Sequence, residues 1–176
     1  MTALIRLARP EDADAVFALA VELATTAVPE RTAFDRSWRT VLGDPEQLLL
    51  VAEVAGSDHE VPVEGQVEGQ AEGQAEVEPQ PGDGSARVVG YLHGMLHPAF
   101  HANGPIGWVE EVCVTGARRG GGIGRALMAR FETLAGSRDV AYVAVATRRA
   151  DAFYRALGYE ESARYFRKLT GVRIRS

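Results

Sequence analysis

One segment limits the folds open to this 176-residue chain more than any other. In VCVTGARRGGGIGRALMARFETLA, residues 112–135, a β-prone run passes through a glycine-rich turn into a helical pattern whose Leu127, Phe131 and Leu134 share one face. Consecutive glycines let backbone N–H groups converge without obstruction by a Cβ, and a helix N-terminus adds a partial positive charge. The segment therefore predicts a phosphate-binding turn between a strand and a helix, with two arginines beside it.

Two familiar phosphate loops do not fit this turn. The loop of nucleotide hydrolases ends in Gly-Lys-Ser/Thr, and the only lysine of the chain is Lys168, far downstream. A dinucleotide fingerprint needs G-x-G-x-x-G, and counted from Gly120 and Gly122 its third glycine position falls on Arg125. The sequence thus argues against both classes.

Strand and helix patterns alternate around the turn. Pro10 suits the first position of a helix that follows the first strand. The patterns predict strands at 4–8, 47–55, 86–96, 108–114, 140–147 and 164–170, and helices after Pro10 and at 32–42, 123–136 and 149–157. The two middle runs, 47–55 and 86–96, should form a hairpin. This order predicts an α/β or α+β sandwich with a mixed sheet.

The stretch 56–86 differs in composition from the rest of the chain. It holds eight acidic residues and no Lys or Arg, and within 63–78 a glutamate recurs every four residues. In a helix these like charges would share one face, and interior glycines would weaken it further. We therefore predict one domain over 1–176 with a disordered insertion at 56–86, interpreted as a neutral repeat expansion.

Charge and cysteine content narrow the functional classes. Outside the insertion, 19 basic residues stand against 16 acidic ones, which disfavours a dedicated nucleic-acid binder and suits an anionic ligand. Cys113 is the only cysteine, so no disulfide can form within the chain, and no Cys/His cluster has zinc spacing. The sequence shows neither a secretory leader nor a membrane span. These features predict a cytoplasmic protein with no metal and no membrane partner.

Two matches identify a resemblance. Arg119-x-x-Gly122-x-Gly124, five residues after Val114, resembles the acetyl-CoA pyrophosphate loop of the GNAT acyltransferase superfamily, Gln/Arg-x-x-Gly-x-Gly/Ala. ADAFYRALGYE, residues 150–160, is similar to the family's later helix and turn. The resemblance spans nearly everything except the insertion. It implies a GNAT-like mixed sheet of about six or seven strands flanked by about four helices.

The resemblance also implies where acetyl-CoA binds. The cosubstrate would lie in an opening between the fourth and fifth strands, with strand backbone on its pantetheine arm and the N–H groups of 119–124 on its pyrophosphate. Thr147 departs from the Asn that many members carry, although a hydroxyl can still hydrogen-bond. The cofactor-binding residues predicted in this way are Val112, Cys113, Val114, Arg118, Arg119, Gly120, Gly121, Gly122, Ile123, Gly124, Arg125, Thr147 and Ala150. Cys113 is interpreted as a small packing residue and not as a nucleophile.

Acetylation of an amine needs a group that accepts a proton. An alkylammonium has a pKa near ~10.4, so it is mostly charged at neutral pH. WVEEVCVTGARRGGGIG is similar to the same stretch of the diamine (spermidine/spermine) acetyltransferases, which have an acidic pair on this strand. The resemblance implies Glu110 as the base through a water and Glu111 as the contact to a cationic substrate. Because adjacent strand residues point to opposite faces, only one should face the amine unless a bulge intervenes.

Other side chains complete the predicted site. Tyr154 is the catalytic candidate that meets the leaving thiolate, mainly by hydrogen-bonding it, since a tyrosine pKa near ~10 exceeds that of a thiol near ~8.5. His93, His97 and His101 recur every four residues but cross from a β-run into a loop, so we expect them to line the acceptor pocket and not to bind metal. Tyr91 and Trp108 could pack against an apolar acceptor, but we expect both to pack in the core.

These inferences predict an N-acetyltransferase that works by direct transfer in a ternary complex. The expected acceptor is a small cationic amine, either a polyamine or an amine antibiotic, and a protein or peptide amine is the alternative. Two further alternatives are a non-catalytic acyl-CoA-binding sensor and an interaction protein whose acidic repeat recruits a basic partner. A homodimer is expected from the family alone.

Overall fold

The computed structural model describes residues 3–25, 28–55, 86–168 and 170. Within these residues the fold is a mixed α/β sandwich, which confirms the predicted class. The strands are β1 (Leu4–Leu7), β2 (Gln47–Val54), β3 (Arg87–Ala99), β4 (Gly104–Val114) and β5 (Val143–Val145). The helices are α1 (Ala13–Leu23), α2 (Arg31–Gly43), α3 (Ile123–Gly136) and α4 (Asp151–Arg155), with short 3₁₀ turns between some of the elements.

The five strands form one sheet in the order β1-β2-β3-β4-β5. The first four run antiparallel to their neighbours, and β5 runs parallel to β4. The predicted hairpin of 47–55 and 86–96 is confirmed, with Leu50 opposite Leu92 in the β2–β3 register. The predicted disordered insertion joins these two strands, and all of it except Ala86 lies outside the described residues.

The predicted strand count of six or seven was too high for the described residues. The expected strand at 164–170 has no regular structure where it is described, and Tyr165 and Phe166 are 66% and 86% exposed. A strand needs a paired neighbour and a buried face, and this segment has neither burial nor a ladder. The predicted strand 140–147 is reduced to β5, and the predicted helix 149–157 is reduced to α4.

The sheet buries a separate apolar cluster on each face. One cluster packs α3 against the strands and includes the fully buried Leu50, Leu92, Val109, Leu127 and Phe131. The other packs α1 and α2 against the opposite face and includes Val16, Leu19, Trp38, Tyr91 and Cys113. Because side chains alternate between the faces of a strand, β4 contributes Val112 and Val114 to the α3 side and Cys113 to the α1 side.

Candidate active site

The strand β4 is paired on both edges over only part of its length. Its parallel pairing with β5 covers Gly107 to Val109, opposite Val143 to Val145. Its antiparallel pairing with β3 continues to Val114, opposite Gly90. The two parallel strands therefore separate after Val109, and the edge of β4 from residue 110 to residue 114 faces an opening. This is the opening that the resemblance implies for a cosubstrate.

Alternate peptide groups of β4 face that opening. The N–H of Thr115 donates to the carbonyl of Val89 at 2.9 Å, so it faces β3. The Cys113 carbonyl also faces β3, because a Cβ added at Gly90 would lie 2.9 Å from that oxygen. An antiparallel ladder turns successive residues to opposite sides, so the N–H groups of Val112 and Val114 face the opening. Of the three strand residues predicted to contact acetyl-CoA through their backbone, Cys113 is thus directed away from it.

The glycine-rich turn requires glycine at two positions. Gly120 and Gly122 have φ values of 79° and 82°, in the left-handed region that residues with a Cβ rarely adopt. The first hydrogen bond of α3 runs from the Ala126 N–H to the Gly122 carbonyl at 3.0 Å. The amides of 123–125 precede it and have no acceptor within the helix. Together with the helix dipole, these N–H groups form an exposed anion-binding turn.

Arg119 fixes this turn to the rest of the fold. Its Nε–H donates to the Val114 carbonyl at 3.0 Å, and its Nη2 group donates to Glu22 Oε1 at 2.6 Å. Glu22 also accepts from the Gly116 N–H at 2.9 Å. One carboxylate at the end of α1 therefore ties both ends of the 3₁₀ turn that precedes the glycines. Arg119, predicted as a direct cofactor contact, has a structural role here as well.

A β-bulge brings both glutamates of β4 to the same face. In the β3–β4 register Val109 lies opposite Gly94 and Glu111 lies opposite His93, which leaves Glu110 as the extra residue. Both Glu110 and Glu111 consequently line one cavity of about 380 Å³. The sequence analysis expected only one of them on that face unless a bulge intervened. The bulge also sits beside Gly94, where a Cβ would come within 2.5 Å of the Phe131 ring.

Each of these carboxylates accepts a hydrogen bond from an aromatic residue. The Tyr91 hydroxyl donates to Glu111 Oε2 at 2.7 Å, and the Trp108 indole N–H donates to Glu110 Oε2 at 2.9 Å. Burial, together with the charge of Glu111, raises the pKa of Tyr91, so its hydroxyl remains a donor. Tyr91 is 1% exposed and confirms the expected core position. The two contacts fix the orientation of both carboxylates in the cavity.

The cavity containing these glutamates, called the acidic cavity below, has one side with the two carboxylates of β4 and an opposite side that is mainly apolar. Its polar lining residues are Glu30, Ser37, His93, Glu110 and Glu111, and no Lys or Arg is among its described lining residues. The opposite side comes from α1, α2 and β2. The apolar lining residues include Val16, Ala20, Phe34, Trp38, Val41 and Leu49. The arrangement suits a cation that carries an apolar group.

His93 is the only predicted histidine that lines the acidic cavity. Its Nε2 lies 2.8 Å from Gln47 Oε1. Burial lowers the pKa of His93 below its ordinary value, although the nearby Glu111 and Glu110 oppose that shift. His93 is therefore neutral at pH 7 and adds no positive charge to the cavity. His97 and His101 instead contact the Pro98 carbonyl and the Tyr142 hydroxyl, so the expectation that they line the same pocket was wrong.

Tyr154 lines a second cavity of about 360 Å³, formed by β5, α4 and residues 160–165. Its ring packs edge-on against Phe153 and Tyr159, with centroids 5.0 and 5.8 Å away. Burial raises the pKa of Tyr154, so its phenol is protonated at neutral pH and can donate a hydrogen bond. Trp108 lines this second cavity too. Its hydrogen bond to Glu110, which lines the acidic cavity, connects the two cavities. Trp108 is half-buried and thus lies at the site and not in the core.

Arg125, Thr147 and Ala150, which were also predicted to bind the cofactor, help to hold α4. The Thr147 hydroxyl accepts from the Ala150 and Arg149 N–H groups at 3.0 and 3.3 Å, so it begins the turn into α4. Arg125 Nη2 donates to the Ala156 carbonyl at 3.3 Å and joins α3 to the end of α4. In this arrangement the Ala150 amide is already bonded to Thr147. Through these contacts the three residues position α4, which carries Tyr154.

Cys113 is 3% exposed, and its thiol donates to the Leu19 carbonyl at 3.4 Å. Burial raises the pKa of this thiol to about 11. A thiol of that pKa is protonated at neutral pH and is a poor nucleophile. The structure is therefore consistent with its interpretation as a packing residue.

The sequence analysis missed several residues that build the site. Glu22, Phe34, Trp38 and Gln47 lie on α1, α2 and β2, far in sequence from the glycine-rich motif. The only available signal was the helical spacing of Phe34, Trp38 and Val41 on one face, which also fits an ordinary core. Glu22 carried no signal, because it occupies an exposed helix position that most polar residues can fill.

The described residues contain no group of three or more His, Cys, Asp or Glu side chains arranged to hold a metal ion. In the described part of the chain, no helix combines the length and the hydropathy needed to cross a membrane.

Comparisons with known proteins agree with this geometry. In the fold comparison, a glucosamine-6-phosphate N-acetyltransferase from Arabidopsis thaliana matches with a TM-score of 0.71 and 18% identity, covering 96% of this chain and 99% of that one. An aminoglycoside antibiotic 6'-N-acetyltransferase from Acinetobacter haemolyticus matches with a TM-score of 0.63 and 19% identity, covering 95% and 99%. An acetyltransferase from Trypanosoma brucei matches with a TM-score of 0.67 and 18% identity, covering 96% and 99%. At these identities the matches show a shared fold.

No curated protein sequence matches the chain. A family model described as "Acetyltransferase (GNAT) domain" matches residues 68–161, more than half of the chain. That match includes β4, the glycine-rich turn and α4, which are the elements that form the opening and the anion-binding turn. The chain belongs to the GNAT acetyltransferase family.

Proposed function

We propose that the protein transfers an acetyl group from acetyl-CoA to the primary amine of a small cationic substrate. The observation that carries this proposal is the acidic cavity, where Glu30, Glu110 and Glu111 meet a neutral His93 and no basic side chain is among the described lining residues. Three carboxylates with no ion pair to a described Lys or Arg favour an ammonium group. The cavity lies beside the edge of β4 that faces the opening.

The residues of the opening fit acetyl-CoA. The N–H groups of Val112 and Val114 suit the amide groups of a pantetheine arm, and the turn from Gly120 to α3 suits a pyrophosphate. Acetyl-CoA, the cosubstrate of this family, supplies the thioester carbonyl that the amine attacks. Arg118 and Arg125 lie on either side of this turn, and Arg119, paired with Glu22, holds it in place. Thr147 and Ala150 bound the site at α4.

Three side chains act on the amine and on the leaving thiolate. Glu110 accepts the proton of the substrate ammonium through a water, and Glu111 contacts the cation. Tyr91 and Trp108 hold these carboxylates in place, so their orientation does not depend on the substrate. Tyr154, whose pKa is raised by burial, remains protonated and donates a hydrogen bond to the thiolate. Both substrates bind before reaction, and the transfer is direct.

The test is acetyl-CoA-dependent thiol release by the purified protein against a panel of monoamines, polyamines, aminoglycosides and N-terminal peptides. We expect turnover with a small cationic amine and its loss in Glu110→Gln and Tyr154→Phe. Turnover with peptides alone would favour the protein-acetylating alternative. Binding of acetyl-CoA without turnover on any acceptor would support a sensor, and lack of binding would refute the proposal.

A further inference from the structure

We propose that the amine accepted by the acidic cavity is carried on an apolar, ring-bearing body. The ammonium group contacts Glu111 and reaches Glu110 through a water, and the ring lies against Phe34 and Trp38. This inference rests on the proposed function, because it names the substrate class of the same site. It rests on how the lining residues of the cavity divide between the sheet and the helices.

The charged side belongs to the sheet. Glu110 and Glu111 come from the bulge of β4, and His93 comes from the facing position on β3. Each glutamate accepts its aromatic hydrogen bond on Oε2, which leaves Oε1 for an ammonium group. An ammonium has three donors, so two neighbouring carboxylates can hold a single amine.

The opposite side belongs to the helices and is mainly apolar, with Ser37 on α2 and Glu30 just before it as its polar residues. Phe34 and Trp38, one helical turn apart on α2, stack with their ring centroids 5.5 Å apart and an angle of 25° between the planes. Trp38 is 7% exposed, and its indole N–H has no acceptor among the described residues. Because this N–H is itself buried, the part of Trp38 that lines the cavity is ring surface. A flat apolar group packs well against such a surface.

Polyhydroxylated or polycationic amines fit the apolar side of the cavity, formed by Phe34, Trp38 and Val16, poorly. Their hydroxyl and additional ammonium groups would lose water against Phe34, Trp38 and Val16 without gaining hydrogen bonds, which weakens binding. The nearby cation on α2, Arg31, is paired with Asp14 and Asp35 at 2.6 and 2.8 Å. Glu30 is a third carboxylate of the cavity, so a short diamine is the competing substrate and belongs in the test.

The experiment compares amines of similar basicity on the full-length protein. Thiol release is measured with 2-phenylethylamine, ethylamine, 1,4-diaminobutane, spermidine and an aminoglycoside at saturating acetyl-CoA. We expect kcat/KM for 2-phenylethylamine to exceed that of each other amine by about tenfold or more, the scale on which an apolar pocket discriminates. An equal or higher value for the diamine, spermidine or the aminoglycoside would overturn the inference.

A matched pair of variants tests whether the apolar side of the cavity selects the ring of the substrate. Phe34→Leu should lower the preference for 2-phenylethylamine over ethylamine about tenfold. Phe17→Leu is the control, because Phe17 contacts Phe34 with ring centroids 5.1 Å apart but does not line the cavity. Its preference should stay within twofold of the wild type. Equal changes in both variants would show a general packing effect and would contradict the inference.

A binding measurement on the wild type does not depend on how the variants fold. With CoA present, 2-phenylethylamine should shift the indole N–H resonance of Trp38, and ethylamine at the same concentration should not. A shift with both amines, or with neither, would overturn the inference. Ring-amine binding at Trp38 without thiol release would support the specificity of the cavity while refuting acetyl transfer, so the two failures are distinguishable.

Discussion

The glycine-rich turn and the acidic cavity flank the same strand but are built in different ways. The turn uses backbone N–H groups from one short stretch, and its shape depends on Gly120 and Gly122 at positive φ. The cavity uses side chains from α1, α2, β2, β3 and β4, which are brought together by the fold and by one bulge. A site built from the backbone of one short segment can be recognised from a local sequence motif. A site built from side chains that are distant in sequence cannot.

This difference also separates the two substrates. The turn suits the phosphates of a cosubstrate that every member of the family shares, so its sequence can be recognised. In our proposal the cavity holds the acceptor, and residues such as Phe34 and Trp38, which the motif does not determine, select it. Changes at the two regions should therefore affect different kinetic constants.

The largest expected effect comes from the cavity. Glu110→Gln removes the proposed base and should lower kcat/KM for the amine about 10²-fold or more, while the affinity for acetyl-CoA stays unchanged. Steady-state thiol release and calorimetric titration with acetyl-CoA measure the two quantities. Glu46→Gln, an exposed acid outside the cavity, is the control. Retention of more than half of the activity in Glu110→Gln would contradict the assigned role.

The next effect comes from the turn. Gly122→Val places a β-branched residue at φ 82°, a conformation that costs L-residues roughly 1–2 kcal/mol, so acetyl-CoA should bind about tenfold more weakly. The control Gly136→Ala changes the last residue of the same helix, where a Cβ meets no atom within 4 Å, and should bind normally. Equal affinities of the two variants for acetyl-CoA would contradict the proposal that the turn binds the phosphates.

A smaller effect concerns pH and the cavity. Burial holds the pKa of His93 below 6.5, so the unfolded chain takes up this proton first as the pH falls. The contribution of His93 to stability is present above pH 6.5 and is lost as the pH falls through its lowered folded-state pKa. Denaturant unfolding at pH 7.5 and 5.5 should show a loss of stability that is reduced in His93→Gln.

His97→Gln provides the control on the same strand and should keep the wild-type pH dependence. Asp12 also has a lowered pKa, since hydrogen bonds from Arg6 and Arg9 outweigh its burial, but it titrates below 3.8 and therefore outside this window. A pH dependence that is identical in the wild type and His93→Gln would show that His93 is not buried in its neutral form.

The smallest effect should follow substitution of the lone cysteine. Cys113→Ala removes a buried sulfur that packs on the α1 side, so the free energy of unfolding should fall by about 1 kcal/mol. Because the peptide group of Cys113 faces β3, activity should stay within twofold of the wild type. Urea unfolding and thiol release measure the two outcomes. Loss of turnover in a folded Cys113→Ala variant would contradict the interpretation of Cys113 as a packing residue.

The sequence predicted the elements that carry strong local signals. The helix 123–136 was predicted with the bounds that the structure gives to α3, and the hairpin around the insertion was also correct. Apolar periodicity and glycine placement are local, so no tertiary information was needed. The prediction of a strand at 164–170 was wrong. Its alternating side chains resemble a strand pattern, but the burial and pairing that define a strand depend on the rest of the fold.

The site divides in the same way. Glu110, Glu111 and Tyr154 were predicted from the family resemblance, and the structure places both glutamates in one cavity with Tyr154 in a second one. The bulge that places both glutamates on one face could not be predicted, because WVEEVCV contains no glycine or other turn residue that marks it. Side chains of α2 could not be assigned to the cavity, because a helix face that lines a pocket has the same pattern as one that fills a core.

The most direct test of the account is a pair of titrations that follow the backbone amide resonances of the full-length protein. Acetyl-CoA should shift the amides of Val112, Val114 and residues 120–125, and a cationic amine added afterwards should shift those of α2 and of Glu110 and Glu111. Shifts from acetyl-CoA confined to α2, or from the amine confined to the glycine-rich turn, would contradict the division of the site into a backbone-built turn and a side-chain-built cavity.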